Sequence, residues 1–209
     1  MNNPIVLATL NSHKVEEIKN ILGPDIPLNS LAEIQPDYGD VEETGQSFQE
    51  NACIKAKEAC MATGLPALAD DSGLEIQALD GEPGIYSSRF EETDELRIRK
   101  VLDLMKDVSW DMRKASFRCV VCYYESEEKH YFFGGKVDGY ISFTPLGDKG
   151  FGYDPVFYHP PSQKTFAQLP PEEKNRLSHR YQAFCKFKQF WKEKNKGQTT
   201  DDNNQLDSI

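Results

Sequence analysis

The apolar run Ala67-Leu68-Ala69 leads directly into Asp70-Asp71-Ser72-Gly73, and Leu74-Glu75-Ile76-Gln77-Ala78-Leu79 follows with mixed alternation. Paired carboxylates at the end of an apolar strand repel one another and stay ionised only where a cation or hydrogen-bond donors meet them. Those partners have to come from elsewhere in the chain. The segment reads as strand, acidic turn, strand. A plain Asp-Ser-Gly turn with solvated acids is the alternative.

Around this point, strand and helix periods alternate. Ile5-Val6-Leu7-Ala8 predicts a buried first strand ending in a polar turn. Val15, Ile18 and Leu22 then recur at helical spacing until Gly23-Pro24. Ser47-Phe48-Gln49-Glu50 is a capping box, so a helix opens there and runs through Ala52, Ala56 and Ala59 to near Gly64. Leu96, Val101, Leu104 and Met105 mark another helix. The runs 115–124 and 130–142 flank a polar segment and predict a hairpin. A long loop rich in Gly and Pro is expected from Thr144 to Pro161. The last helix starts near Pro170-Pro171 and buries Leu177, Tyr181, Phe184, Phe187 and Trp191. Residues 1–196 read as a single domain, and the polar tail 197–209 is expected to be disordered. The class is α/β, with a long twisted mixed β-sheet flanked by helices.

Charge is spread unevenly over the 209 residues, whose net charge is −10. Residues 1–150 hold 15 Lys and Arg against 27 Asp and Glu, whereas residues 151–196 hold 9 against 4. A long polyanion such as nucleic acid is a poor ligand for so acidic a body. An acidic body with a basic C-terminal segment suits a ligand that brings both metal ions and phosphates; solvated faces are the plain alternative. Five cysteines, an odd count, argue against a disulfide-stapled secreted scaffold. No run approaches the roughly eighteen apolar residues of a membrane span. The start MNNPIVLATLNSHK lacks the features of a secretory signal, so a cytoplasmic location is expected.

Four stretches can carry chemistry. Thr9-Leu10-Asn11-Ser12-His13-Lys14 lies between a strand and a helix start, where free N–H groups and the helix dipole favour phosphate. A helix cap with a solvated Lys14 is the alternative. Glu42-Glu43-Thr44-Gly45 joins Asp70-Asp71 as an acidic set of hard oxygen ligands, with no Cys/His cluster beside it. Such a set points to Mg²⁺ or Mn²⁺ and leaves a spare carboxylate to act as base. In Gly150-Phe151-Gly152-Tyr153-Asp154-Pro155, glycines allow close backbone approach and Phe151 offers a face for stacking a base. Lys174 with Ser178-His179-Arg180 can line a cleft at a helix edge. A turn with core aromatics and a surface helix are the bland readings of these last two. Cys119-Val120-Val121-Cys122 alternates faces within a strand and has no second pair, so it is not a metal site.

Taken together, the chain resembles the inosine triphosphatase family, the Ham1-like diphosphatases of non-canonical purine nucleotides. The matching segments are Thr9-x-Asn11-x-x-Lys14-x-x-Glu17, Glu43-Thr44-Gly45 with Phe48-x-Glu50-Asn51-Ala52-x-x-Lys55-Ala56, and Ala69-Asp70-Asp71-Ser72-Gly73-Leu74. Pro83-Gly84-Ile85-Tyr86-Ser87, Gly150 to Pro155 and Ser178-His179-Arg180 complete the pattern in the family's order. Each motif alone is weak, and six in register are strong.

The resemblance implies two lobes with a nucleotide cleft between them, a homodimer, and Mg²⁺-dependent hydrolysis of ITP, dITP or XTP to the monophosphate and pyrophosphate. By position, it implies that Thr9, Asn11, Lys14 and Lys55 hold the phosphates, with Ser12 and His13 beside them as substrate-binding residues. Glu43, Asp70 and Asp71 would serve the metal, and Asp71 would take the proton of the attacking water. Ser72 would contact the nucleotide, and Phe151, Gly152, Tyr153, Asp154, Lys174, His179 and Arg180 would form the base and sugar pocket. Arg180 and backbone N–H groups can donate to a purine 6-oxo group, whereas adenine presents donors there. A buried donor facing a donor costs roughly 1–3 kcal/mol. Leu10 departs from the family's usual Gly and puts the phosphate loop's backbone geometry in question. A Maf-type diphosphatase with another base preference, a metal-dependent nuclease and a catalytically silent nucleotide-binding regulator are the rival readings.

Overall fold

In the computed structural model, which describes residues 4–39 and 41–203, the sheet is built outward from a short parallel core. β1 (Ile5–Leu7) is fully buried and is followed by α1 (Ser12–Leu22). Next come β2 (Leu28–Ser30), α2 (Leu31–Ile34), α3 (Phe48–Thr63) and β3 (Ala67–Ile76). α4 (Asp94–Leu104) precedes the long hairpin of β4 (Lys114–Ser126) and β5 (Lys129–Ile141). β6 (Phe157–His159), β7 (Lys164–Thr165), α5 (Pro171–Leu177) and α6 (His179–Asn203) complete the chain. The strand order is β2-β1-β3-β4-β5-β6-β7. β1 pairs in parallel with β2 and β3, and every later pairing is antiparallel.

The expected hairpin and the first and third helices form where the sequence places them. Gly64 closes α3 in the left-handed conformation, as its lack of a Cβ permits. Five expectations change.

The acidic pair is not a turn. Asp70 and Asp71 lie inside one continuous ten-residue strand, in register with Val121 and Val120 of β4. The last helix is two. Ser178 is extended and its hydroxyl accepts the Tyr181 N–H at 3.0 Å, so α5 ends and α6 starts afresh at His179. The Ser47 box is half made, because Glu50 reaches the Gln46 N–H rather than Ser47's own. The 144–161 loop is interrupted by β6, which pairs with β5. At the C-terminus, α6 continues past Lys196 to Asn203, and the rest of the expected tail lies outside the described residues. Among the described residues no helix is long and apolar enough to cross a membrane.

Alternation along β3 decides what each face meets. Leu68 packs with Ile5, Leu7, Ile18 of α1 and Phe184 and Phe187 of α6. On the opposite face, Ala67 and Ala69 pack with Ala52, Ala56 and Ala59 of α3. Farther along, Leu74 and Ile76 join Val101, Phe117 and Phe157 in a third cluster. β1 pairs with β3 only at Ala67 and Leu68, so on that side the following residues of β3 have no partner strand, and backbone pairing resumes only where Glu75 bridges Pro83. The functional cleft opens over this uncovered edge.

α6 seats on the sheet through Gly135 of β5. A Cβ there would clash with the His179 carbonyl oxygen and stand 2.8 Å from the Ala183 nitrogen, whereas one at Gly134 would meet nothing within 4 Å. Gly135→Ala is therefore expected to destabilise the protein by about 1–3 kcal/mol. Gly134→Ala should change stability by less than about 0.5 kcal/mol. Denaturant unfolding of the two variants checks this, and equal effects would contradict the seating of α6.

Candidate active site

Asp70 and Asp71 point to opposite faces of β3 and acquire separate sets of partners. Asp70 has a fully buried side chain. It receives Lys14 Nζ at 3.2 Å, the Ser72 hydroxyl at 3.0 Å and Arg180 Nε at 3.5 Å. Burial alone would push its carboxyl up, but the charges of Lys14, Arg180 and Lys55 outweigh burial and hold it well below the usual carboxylate range. Its ionised form therefore stabilises the fold above the ordinary carboxylate pKa, and this contribution fades as the pH falls.

Asp71 faces α3. Its Oδ1 accepts from Lys55 Nζ at 3.1 Å and its Oδ2 from Asn51 Nδ2 at 3.2 Å. Burial raises the Asp71 carboxyl above the usual range, and neighbouring Glu43 adds to this against the pull of Lys55. The same ammonium of Lys55 sits 2.7 Å from Glu43 Oε1, and Arg89 holds Glu43 Oε2 at 2.7 Å. Two carboxylates from distant segments thus converge on one cation. Burial would lower the Lys55 pKa, yet Asp71, Asp70 and Glu43 raise it, so Lys55 stays charged.

The phosphate loop caps α1. Asn11 Oδ1 accepts the Lys14 N–H at 3.1 Å, and the Thr9 hydroxyl accepts the Asn11 N–H at 3.2 Å. Asn11 and Lys14 face the main cleft, whereas Thr9 and Ser12 line a separate surface groove with exposed Leu10. His13 lies in the first turn of α1, and its side chain is outside the described part of the molecule.

The far end of the cleft is aromatic and cationic. Glu43, Asp71, Ser72, Phe151, Gly152, Tyr153, Asp154, Lys174, His179 and Arg180 all line one cavity of about 280 Å³ with Asn11 and Lys14. Lys55 touches it through Glu43 and Asp71, and Asp70 lies beneath it. His179 and Arg180 are the first residues of α6, which is how adjacent side chains reach the same cavity. Arg180 is 2% exposed and donates to Glu17 at 2.6 Å and to Ser72 at 3.1 Å. His179 stacks on Phe117 and lies in a positive, desolvated setting that keeps it neutral. Its Nδ1 is buried without a hydrogen-bond partner, and so is Glu17 Oε1. Such atoms are costly unless a ligand supplies the partner.

The Phe151–Asp154 loop is pinned from three sides. Asp154 Oδ2 accepts the Phe151 N–H at 3.1 Å and pairs with Lys174 at 3.2 Å. Asp94, the first residue of α4, accepts the Gly152 N–H at 2.6 Å. The Tyr153 hydroxyl donates to the Ser87 carbonyl at 2.9 Å. These two backbone N–H groups are therefore committed to side-chain carboxylates. Asp94, Ser87, Glu17 and Asn51 are the residues that sequence reasoning left without a role. Glu17, Asn51 and Ser87 stand inside the quoted motifs, but their partners are remote in sequence.

Among the described residues, no three His, Cys, Asp or Glu side chains cluster as a ready metal cage. The donor chemistry still fits a hard cation. Glu43 and Asp71 share one cationic point, and Mg²⁺ characteristically takes one or two carboxylates, with waters and substrate phosphates completing its shell. Asp70 is committed on the other face to Lys14, Arg180 and Ser72.

A sequence profile of the Ham1 family matches residues 5–190. The dITP/XTP pyrophosphatase of Dictyoglomus thermophilum is 50% identical over 190 residues, covering 89% of this chain and 93% of its own. The structure of a Ham1 protein from Coxiella burnetii superposes with a TM-score of 0.84 at 44% identity, over 92% of this chain and 100% of that one. The Staphylococcus aureus Ham1 protein gives 0.83 at 41% identity, over the same shares. With its acid pair divided between two faces of one strand and the family profile matched almost end to end, the chain belongs to the Ham1 family.

Proposed function

We propose that this protein hydrolyses ITP, dITP and XTP to the monophosphate and pyrophosphate, using Mg²⁺ with Mn²⁺ as a possible substitute. Its 50% identity to a dITP/XTP pyrophosphatase supports the substrate class. The observation that carries the reading is Lys55 Nζ bridging Glu43 and Asp71, two residues that line a cavity whose other end is formed by Phe151, His179 and Arg180.

Glu43 would hold the cation directly and Asp71 through one of its waters, which leaves an Asp71 oxygen free to act as base. Bound there, the cation would neutralise phosphate charge and favour in-line attack by water. Lys14 and Lys55 bind the phosphates as point charges, and Asn11 with the opening N–H groups of Ser12 and His13 presents the α1 terminus to them. Thr9 shapes this loop through its bond to Asn11. Asp71 accepts the proton of the attacking water, a role that suits a carboxylate held above its usual range. Asp70 keeps Lys14 and Arg180 in place from the opposite face.

Phe151 stacks on the base while Lys174 and Asp154 brace the loop, and Gly152 and Tyr153 shape the wall beside it. His179 and Arg180 read the base edge, with Arg180 donating to the 6-oxo group that adenine lacks. Ser72 contacts the nucleotide near Arg180. A homodimer belongs to the same proposal, on the strength of the resemblance. The acidic balance of residues 1–150 supports a small nucleotide rather than nucleic acid as substrate.

With Mg²⁺ present, ITP and XTP should yield monophosphate and pyrophosphate with kcat/KM about 10³-fold or more above ATP. Orthophosphate as the first product, or equal rates on all the purine nucleotides, would contradict the reading. Asp71→Asn should lower kcat on ITP by about 10²- to 10⁴-fold. ITP should still raise the melting temperature of that variant, and loss of this binding together with activity would count against a base role.

A further inference from the structure

The Asn51 side chain lies between the strand that carries the base and the loop that carries Glu43. It is fully buried in the first turn of α3. Its Nδ2 donates to Asp71 Oδ2 at 3.2 Å, and its Oδ1 accepts the Gly45 N–H at 2.9 Å. Both ends of the amide are thus used, which fixes which end faces Asp71. The reverse orientation would set oxygen against carboxylate and N–H₂ against N–H.

The two oxygens of Asp71 consequently differ. Oδ2 is held by a neutral amide that does not titrate and has no other partner to turn to. Oδ1 is held by Lys55, a flexible cation that also serves Glu43 and that the phosphates of a bound nucleotide would draw on. Gly45 completes the device. A Cβ on it would stand 2.7 Å from Asn51 Oδ1 and 2.7 Å from Glu50 Cβ, so only glycine lets the 43–45 loop lie against this amide.

We propose that Asn51 is the positioning residue of the catalytic base: it fixes Asp71 Oδ2, so that Oδ1 alone changes partner, from Lys55 to the attacking water, when nucleotide draws Lys55 away. This rests on the reading of Asp71 as the base. Asn51 touches neither substrate nor water; it acts through Asp71. The donor matters more than the shape, because Asn51→Asp keeps the size and the acceptor for Gly45 while replacing the donor to Asp71 with a second carboxylate.

The test is a double-mutant cycle on ITP turnover, with slow variants followed by pyrophosphate release over hours. Asn51→Asp is expected to lower kcat about 100-fold and change KM by less than about threefold. Introduced into Asp71→Asn, the same substitution should lower the residual rate by less than about threefold, since residues acting as one unit are not additive. Gly45→Ala, which displaces the amide from its other end, should lower kcat with the same insensitivity on the Asp71→Asn background. It serves as the reading if Asn51→Asp does not fold.

Equal fold-losses on both backgrounds, or a rise in KM with kcat intact, would overturn the proposal and leave the base assignment standing. Parental turnover by Asp71→Asn alone would overturn both.

Discussion

Asp70 and Asp71 are neighbours in the chain, but a β-strand sends neighbouring side chains to opposite faces, and the cleft depends on that division. Placed together on one side, the two carboxylates would repel and one would be protonated. Apart, each draws its own cations: Lys14 of α1 and Arg180 of α6 come to Asp70, while Lys55 of α3 comes to Asp71. Three helices from distant parts of the sequence are thereby aimed at one strand. The shortness of β1 then matters. It leaves β3 without a partner strand on one side between Leu68 and the Glu75–Pro83 bridge, where the groups on both faces can reach a common ligand.

Around this centre the walls are held by polar bonds rather than by packing alone. Asp94, Asp154 and the Ser87 carbonyl hold the 151–154 loop. Ser87 also accepts the Leu74 N–H at 2.8 Å, which joins the same wall to β3. Glu17 and Ser72 fix Arg180. A pocket fixed in this way spends little entropy on ordering when nucleotide binds. Two buried polar atoms, His179 Nδ1 and Glu17 Oε1, remain without partners at this end of the molecule, where a purine would bring hydrogen-bonding groups.

Much of this was legible in the sequence. Hydrophobic period and turn chemistry are local, so the first and third helices and the β4–β5 hairpin could be read directly. The nature of the site was legible because its charged residues cluster in short motifs. Asp70-Asp71-Ser72-Gly73 was misread as a turn because the local chemistry of Asp, Ser and Gly favours one. What makes it a strand is the ladder to residues 115–124 of β4, about fifty residues away. The break at Ser178 was hidden for a similar reason. Leu177, Tyr181 and Phe184 keep helical spacing through it, and only the Ser178 hydroxyl on the Tyr181 N–H marks a new start. Asn51 and Glu17 were visible as letters but not as roles, since each acts on a residue brought to it by the fold.

The division of labour between the two carboxylates is most directly tested by the stability of Asp70→Asn and Asp71→Asn, measured by denaturant unfolding at neutral pH in a chelator. Asp70 ionises more readily than usual in the folded state, and removing its charge leaves Lys14 and Arg180 unbalanced, so a loss of about 3–5 kcal/mol is expected. Asp71 ionises less readily than usual, so its charge costs stability at neutral pH, and Asp71→Asn should be as stable as the parent or more so. Equal losses in the two variants, or Asp71→Asn as the weaker fold, would contradict the assignment of Asp70 to structure and Asp71 to chemistry.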